Sequence, residues 1–369
     1  MAATRKGSSG SGSSPKVSVI VPMFNVAEYI AHAVDSLKQQ TLVDSEFILI
    51  DDGSTDGTAE VAITAIGDDD RFCLIGRENH GAAATRNFGL SVATGDYLCF
   101  LDSDDCLSSD GLEVMYNAAV DQGAQIVTGD TLRFTSTRQW RQSSLVRSGV
   151  NTPGLKTLHT HPELLYAVGP WAKLFERRLI DGVFFPEHIH LGEDQPFVLQ
   201  ALMSAAKIFT VDSTVYHYRQ REGGSESLTQ HALSRPDEVL ADLYEMVRLG
   251  RGILSDDLFD FYLRRVIYSD IWARVDAALA AKDPRIQMAA LTSVKTWLED
   301  LDSDTFNRVA DLHTVPLVGI LFRLSCLRAQ GISAARKLMG MILSKMRFRS
   351  YVRLPVAVVR LLIKRVQRS

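Results

Sequence analysis

The sequence predicts an α/β fold: a mostly parallel sheet with helices on both faces, followed by an α-helical C-terminal region. Short apolar runs alternate with segments whose apolar residues recur at helical spacing, which is the pattern of crossover units rather than hairpins. Three of those runs end in polar residues, at Asn25, at Asp51 and Asp52, and at Asp102, Asp104 and Asp105. From about Leu228 onward the pattern is helical almost throughout.

Residues 1–14 are rich in Gly and Ser and poor in apolar side chains, so they read as a flexible leader with order beginning at Pro15. The β-branched run 17–21 reads as a first strand stopped at Pro22. Val26, Ile30, Val34 and Leu37 then fall on one helical face within 26–39. Strands follow at 47–50 and 72–75, with a helix at 58–66 between them. A helix at 82–93 precedes the strand Tyr97–Leu101. Further on, 108–122 reads as helix and 125–128 as strand, while 131–160 is polar and irregular. A helix at 193–205 tolerates Pro196 because it falls in the first turn. A strand at 208–218 closes this half. Amphipathic helices are expected at 239–254, 259–281 and 285–301. Breaker residues around 221–225 and 234–236 mark the division between a domain at 15–230 and a helical region at 231–369.

Composition narrows the class. At 46% hydrophobic and 23% charged residues the chain is that of a globular protein rather than a disordered one. No apolar h-region marks the N-terminus, and no uninterrupted apolar run of about 18 residues calls for a spanning helix. The four cysteines form no C-x-x-C and no disulfide framework, which suits a reducing compartment. The net charge of −4 conceals an asymmetry: residues 321–369 hold 12 Lys or Arg and no acid, leaving −16 for the rest. A basic tail on an acidic body attracts a polyanion. Its mixture of Leu, Ile, Val and Met with Arg and Lys suits an anionic membrane surface or a partner helix, and nothing else in the chain resembles a nucleic-acid module.

The chemistry lies where the strands end. Ligands of open α/β sheets bind beyond the carboxyl ends of strands. The run at 97–101 ends in three carboxylates within four residues, and their mutual repulsion calls for a positive partner. A hard divalent cation shared with a substrate diphosphate meets that need. Phe24 either fills the core or stacks on a base. Asp52 lies in an Asp/Gly/Ser turn common on structural grounds, or accepts from the imide of a uracil. Arg86, in the small-residue helix start 79–87, either forms a structural ion pair or reaches a carboxylate or phosphate.

In order and spacing, four segments resemble the family 2 glycosyltransferases with the GT-A fold across residues 15–230. They are 18–22 with Asn25, Asp51-Asp52-Gly53-Ser54, Gly81 through Arg86-Asn87, and Asp102-Ser103-Asp104-Asp105. The resemblance implies inverting transfer of a sugar from a nucleoside diphosphate donor, here a UDP-sugar, to a hydroxyl of a surface polysaccharide, teichoic acid or lipid-linked glycan. It implies that Pro22 and Phe24 border the nucleoside, with Asn25 beside them. Asp52 would bind the base, Asp102 the ribose or sugar, and Asp104 a Mn2+ or Mg2+ ion. Gly192-Glu193-Asp194 is similar to the family's Glu-Asp element, which makes Asp194 the base with Glu193 as support or alternative. Without that resemblance, acids in a first helical turn simply complement the macrodipole.

Segment 169–175 resembles an acceptor-side element, in which Trp171 stacks on a sugar or packs in the core and Lys173 offsets phosphate charge or is solvated. His217 is a metal ligand or a structural histidine. Arg219, Arg221 and Ser225 would hold the departing diphosphate. The resemblance implies a cytoplasmic protein peripheral to the inner membrane face, and the helical C-terminal region offers a surface for oligomerisation. Two other readings compete. Phe100–Asp104 is similar to the nucleophile motif of haloacid dehalogenase-like phosphatases, with Asp102 as nucleophile, but Cys106 stands where Thr or Val is usual and three strands precede it. The other is a non-catalytic nucleotide-sugar binder.

Overall fold

Strand β1 (Val17–Met23) forms because a β-branched run lies in the middle of a sheet, with both of its faces covered. In this computed structural model, which describes residues 14–222, 236–271, 274–275, 278 and 283–300, its odd-numbered side chains enter the main hydrophobic core. Pro22 continues the strand instead of stopping it. Parallel partners flank β1: β2 (Ser45–Asp51) on one side, and β4 (Tyr97–Phe100) on the other. Strand β3 (Phe72–Gly76) extends the parallel ladder beyond β2.

The rest of the sheet mixes directions. Strand β9 (Lys173–Glu176) runs antiparallel between β4 and β6 (Ile126–Phe134), and β10 (Ile208–Arg219) lies parallel to β6. Short strands β5 (Cys106–Leu107), β7 (Gln139–Arg141) and β8 (Gly154–Lys156) add antiparallel edges. The path is β3-β2-β1-β4-β9-β6-β10-β5. Its long ladders are the parallel ones.

Helices cover both faces. Helices α1 (Ile30–Lys38), α2 (Thr58–Ile66) and α4 (Gly111–Gln122) enclose the core of Val19, Val21, Val34, Leu37, Leu49 and Met115. On the other face α3 (Ala82–Val92) crosses β1 so closely that a Cβ on Gly89 would come within 2.4 Å of Ile20 Cγ2. Helix α6 (Asp194–Ser204) is held there by aromatic packing: Phe197 stacks on Phe185 at 4.1 Å and meets the edges of Phe100 and Phe175. Fully burying each such ring contributes about 1.5–3 kcal/mol. This packing sets the first turn of α6 against the end of β4.

Segment 131–160 is more regular than its polarity suggests. Strand β6 runs on to Phe134 because β10 pairs with it to that point, and β7, a short helix α5 (Ser143–Ser148) and β8 follow. The chain divides into two compact units, residues 1–225 and 226–369. In the second, helices α7 (Pro236–Ile253), α8 (Asp256–Val266) and α9 (Pro284–Asp300) are described; within the helix expected over 259–281, a π turn at Ile267–Ile271 follows α8, and residues 274, 275 and 278 are helical. The basic tail lies outside the described residues. Among those described, no helix is long and apolar enough to cross a membrane.

Candidate active site

The carboxyl ends of β1, β2 and β4 meet at one sheet edge, and the polar residues there are tied to one another. After β1, Asn25 takes a left-handed conformation (φ 50). Its Oδ1 accepts from Thr55 N at 2.9 Å, and its own N donates to Ser54 Oγ at 3.0 Å. Asp56 accepts from Ala27 N and from Thr58. These bonds lash the turn after β1 to the turn after β2 and leave Phe24 49% exposed on the rim, whereas Pro22 is half-buried in the strand.

Asp52 is 3% exposed. Its carboxylate accepts from His80 N and from Gly81 N at 2.7 Å, with Arg77 Nε at 3.4 Å. Asp52 thereby holds the loop that leads into α3, where Gly81 needs φ 89.

Of the two readings open for Arg86, the structure shows ion pairing with carboxylates. Arg86 is 7% exposed and lies between two acids. Nη1 donates to Glu193 Oε1 at 2.8 Å and Nη2 to Asp102 Oδ1 at 2.9 Å. Burial pulls its pKa down, but Asp102, Glu193 and Asp194 more than offset that, so it remains a cation. Each of its two terminal nitrogens donates to one protein carboxylate. The next residue, Asn87, exchanges hydrogen bonds with the Phe185 backbone and donates to Glu187. Arg86-Asn87 thus pins the segment before α6 to the sheet edge.

The three acids after β4 part company. Asp105 is 1% exposed, accepting from Tyr216 Oη at 2.7 Å and Arg219 N at 2.6 Å. Burial, then Asp104 and Asp102, push its pKa well above the ordinary carboxylate value. It anchors β10 to the acidic loop. Tyr216, not singled out from the sequence, also receives the Asp102 N–H.

Asp102 and Asp104 remain at the edge, each tied to an arginine through one oxygen. Asp104 Oδ2 accepts from Arg221 Nε at 2.8 Å, and Arg219 Nε donates to the Asp104 carbonyl. Tyr29, also unanticipated, lies under both arginines, at 5.5 Å and 4.9 Å. Burial raises the Asp104 pKa against the opposing pull of Arg221.

Two hard carboxylates two positions apart fit a Mg2+- or Mn2+-like ion, which takes one or two protein carboxylates and fills its shell with phosphate and water. They do not form a complete protein cage: among the described residues no three His, Cys, Asp or Glu side chains are grouped to hold a metal. His217 does not join them. Strand alternation turns it away from the Tyr216 side, and its Nε2 lies 3.0 Å from Ser108 Oγ.

In the segment before β9, Trp171 is half-buried with its ring 6.0 Å from Tyr218. Lys173 was expected at the surface but is inside, donating to Gly169 O at 2.7 Å. Glu193 and Asp194 begin α6, with Asp194 half-buried and acting electrostatically on both Arg86 and Lys173. Ser225 lies outside the described residues.

The chain is similar to known proteins in sequence and in fold. The family described as Glycosyl transferase family 2 matches residues 18–184. An uncharacterised glycosyltransferase of Haemophilus influenzae is 35% identical over 189 residues, which is 51% of this chain and 72% of that protein. The uncharacterised glycosyltransferase EpsJ of Bacillus subtilis is 33% identical over 214 residues, 56% of this chain and 61% of its own length. The chain thus spans under two thirds of EpsJ, as it does of the Bacillus subtilis EpsH and the Streptococcus pneumoniae GlyA. Among solved structures, S. aureus TarS 1-349 in complex with UDP-GlcNAc superposes with a TM-score of 0.67 at 20% identity, over 90% of this chain and 93% of that one. Mannosyltransferase PcManGT from Pyrobaculum calidifontis, in complex with GDP-Man and Mn2+, reaches 0.50 at 16% identity, over 90% and 86%. These likenesses show a common GT-A-type fold.

Proposed function

The chain belongs to glycosyl transferase family 2, and on that footing we propose that it transfers a sugar, with inversion, from a UDP-sugar to a hydroxyl of a cell-surface polysaccharide, teichoic acid or lipid-linked glycan. The observation that carries this reading is the bridge made by Arg86, which joins the donor-side Asp102 to the acceptor-side Glu193 at the start of α6. Neither a phosphatase with Asp102 as nucleophile nor a passive binder needs two acidic elements coupled through one buried cation.

In the proposed reaction Phe24 offers an exposed ring for the base, and Asn25 holds that rim. Asp102 and Asp104 would hold Mn2+ or Mg2+, whose charge offsets that of the donor diphosphate. Arg219 and Arg221 lie beside them to meet the leaving group. The acceptor hydroxyl oxygen bonds to the anomeric carbon from the face opposite the diphosphate. The bond from that carbon to the diphosphate oxygen breaks, and the diphosphate departs with the electron pair. Asp194 takes the hydroxyl proton. Trp171 supplies a flat surface for the acceptor sugar.

Support for a UDP-sugar comes from TarS, solved with UDP-GlcNAc, and for a divalent ion from PcManGT, solved with Mn2+. A thermal-shift screen of nucleotide sugars tests the donor. A UDP-sugar with Mn2+ is expected to raise the Tm by mass action, and a panel in which no nucleotide sugar shifts it contradicts the reading. We place the protein on the cytoplasmic face of an anionic membrane through its basic tail. A chain truncated at Leu338 is expected to lose binding to phosphatidylserine liposomes, and equal binding by both forms contradicts that placement.

A further inference from the structure

Lys173 opens β9, a strand in the interior of the sheet, and is 4% exposed. Its Nζ donates to Gly169 O at 2.7 Å and lies 3.5 Å from Trp171 O. The turn that supplies both carbonyls is under constraint at two points. Ala172 has φ 54, the left-handed region disfavoured for a residue with a Cβ. Gly169 packs against the Trp171 indole so tightly that an added Cβ would come within 2.0 Å of the ring. The turn is folded back on itself, and one ammonium fastens it from within.

A buried ammonium is costly unless opposed by negative charge. The opposing charge comes from α6, where Asp194 favours the protonated form. From β6 the facing residue is the uncharged Thr128, and the lysine's own turn offers only carbonyls. Burial nevertheless prevails and brings the Lys173 pKa down to about 7. The side chain therefore changes charge close to neutrality, inside the element that carries Trp171.

We propose that Lys173 is a positioning residue for sugar transfer: its ammonium fixes the turn that presents Trp171 and keeps a positive charge in the field of Asp194, with no contact to either substrate. The proposal rests on the reading of Asp194 as the base, but it makes a claim of its own about charge coupling that needs no substrate to test.

The test is the pH dependence of tryptophan emission in the full chain, with the Trp171 contribution isolated by difference from Trp171→Phe. Wild type is expected to show a Trp171-dependent transition with a midpoint near pH 7. Lys173→Met loses it. Lys173→Arg holds emission at the acid-form value across the range. Asp194→Asn removes the charge that favours the ammonium and moves the midpoint down by roughly one pH unit. A lysine that only fills space gives no such transition. Absence of the transition in wild type, its survival in Lys173→Met, or an unmoved midpoint in Asp194→Asn overturns the proposal. Should Lys173→Met fail to fold by far-UV circular dichroism, the Asp194→Asn midpoint decides alone. Loss of sugar transfer is measured separately, so failure of the coupling and failure of the base assignment are told apart.

Discussion

Arg86 Nη2 lies 2.9 Å from Asp102 Oδ1, and the guanidinium is almost entirely out of solvent. The partner on its other side is Glu193, 107 positions away in the chain. One side chain from the middle of a small-residue helix therefore fixes the distance between the acid at the end of β4 and the first turn of α6.

Removing that cation leaves two carboxylates facing each other at the rim of the core. Arg86→Met is expected to destabilise the protein by about 3–5 kcal/mol, the range for breaking a buried ion pair from one side. Arg86→Lys is expected to recover only part of this, because an ammonium does not reproduce the fork that reaches two separate acids. Urea unfolding of the three forms checks it, and full stability in Arg86→Met would contradict the bridge.

Gly89 permits the approach of α3 to β1 that brings Arg86 to the sheet edge. Gly89→Ala would drive a methyl against the stiff Ile20 side chain. The expected loss is about 1–3 kcal/mol, read as a lower urea midpoint. Gly76→Ala, where an added Cβ meets nothing within 4 Å, serves as the control.

Lys173 gives stability an unusual pH dependence. Its pKa is about 7 in the folded chain against an ordinary 10.5. Below pH 7 both states carry the proton. Between about pH 7 and 10.5 the unfolded chain binds a proton that the folded chain does not, so stability rises with pH, by at most about 1.4 kcal/mol per unit. Unfolding of wild type and Lys173→Met between pH 7 and 9.5 checks this: the difference between them is expected to move in favour of wild type as pH rises, and a constant difference would contradict the shift.

Much of the fold was legible because its signals are local. The helix expected over 58–66 matches the ends of α2, Thr58 and Ile66, and in the structure Gly57 and Gly67 bracket it with positive φ. The parallel ladder from β3 to β4 followed from apolar runs and turn residues. Strand β6 was read short because the residues after Thr128 are polar. Their strand conformation comes from pairing with β10, more than eighty positions further on. The site was legible as a set of residue types at one edge and illegible as a set of contacts. Asp105 belongs to Tyr216, Asp52 to the amides of His80 and Gly81, and His217 to Ser108. Burial of Lys173 follows from the placement of β9 between β4 and β6, which no local spacing announces.

The assignment of Asp194 as base is decided by comparing Asp194→Ala with Asp104→Ala in one assay of sugar transfer and UDP-sugar binding with Mn2+. Asp194→Ala is expected to lose transfer, by about 100-fold or more, while binding the donor as wild type does. Asp104→Ala is expected to lose both transfer and the metal-dependent part of donor binding. Wild-type transfer by Asp194→Ala would show that the proton goes elsewhere, and would overturn the mechanism.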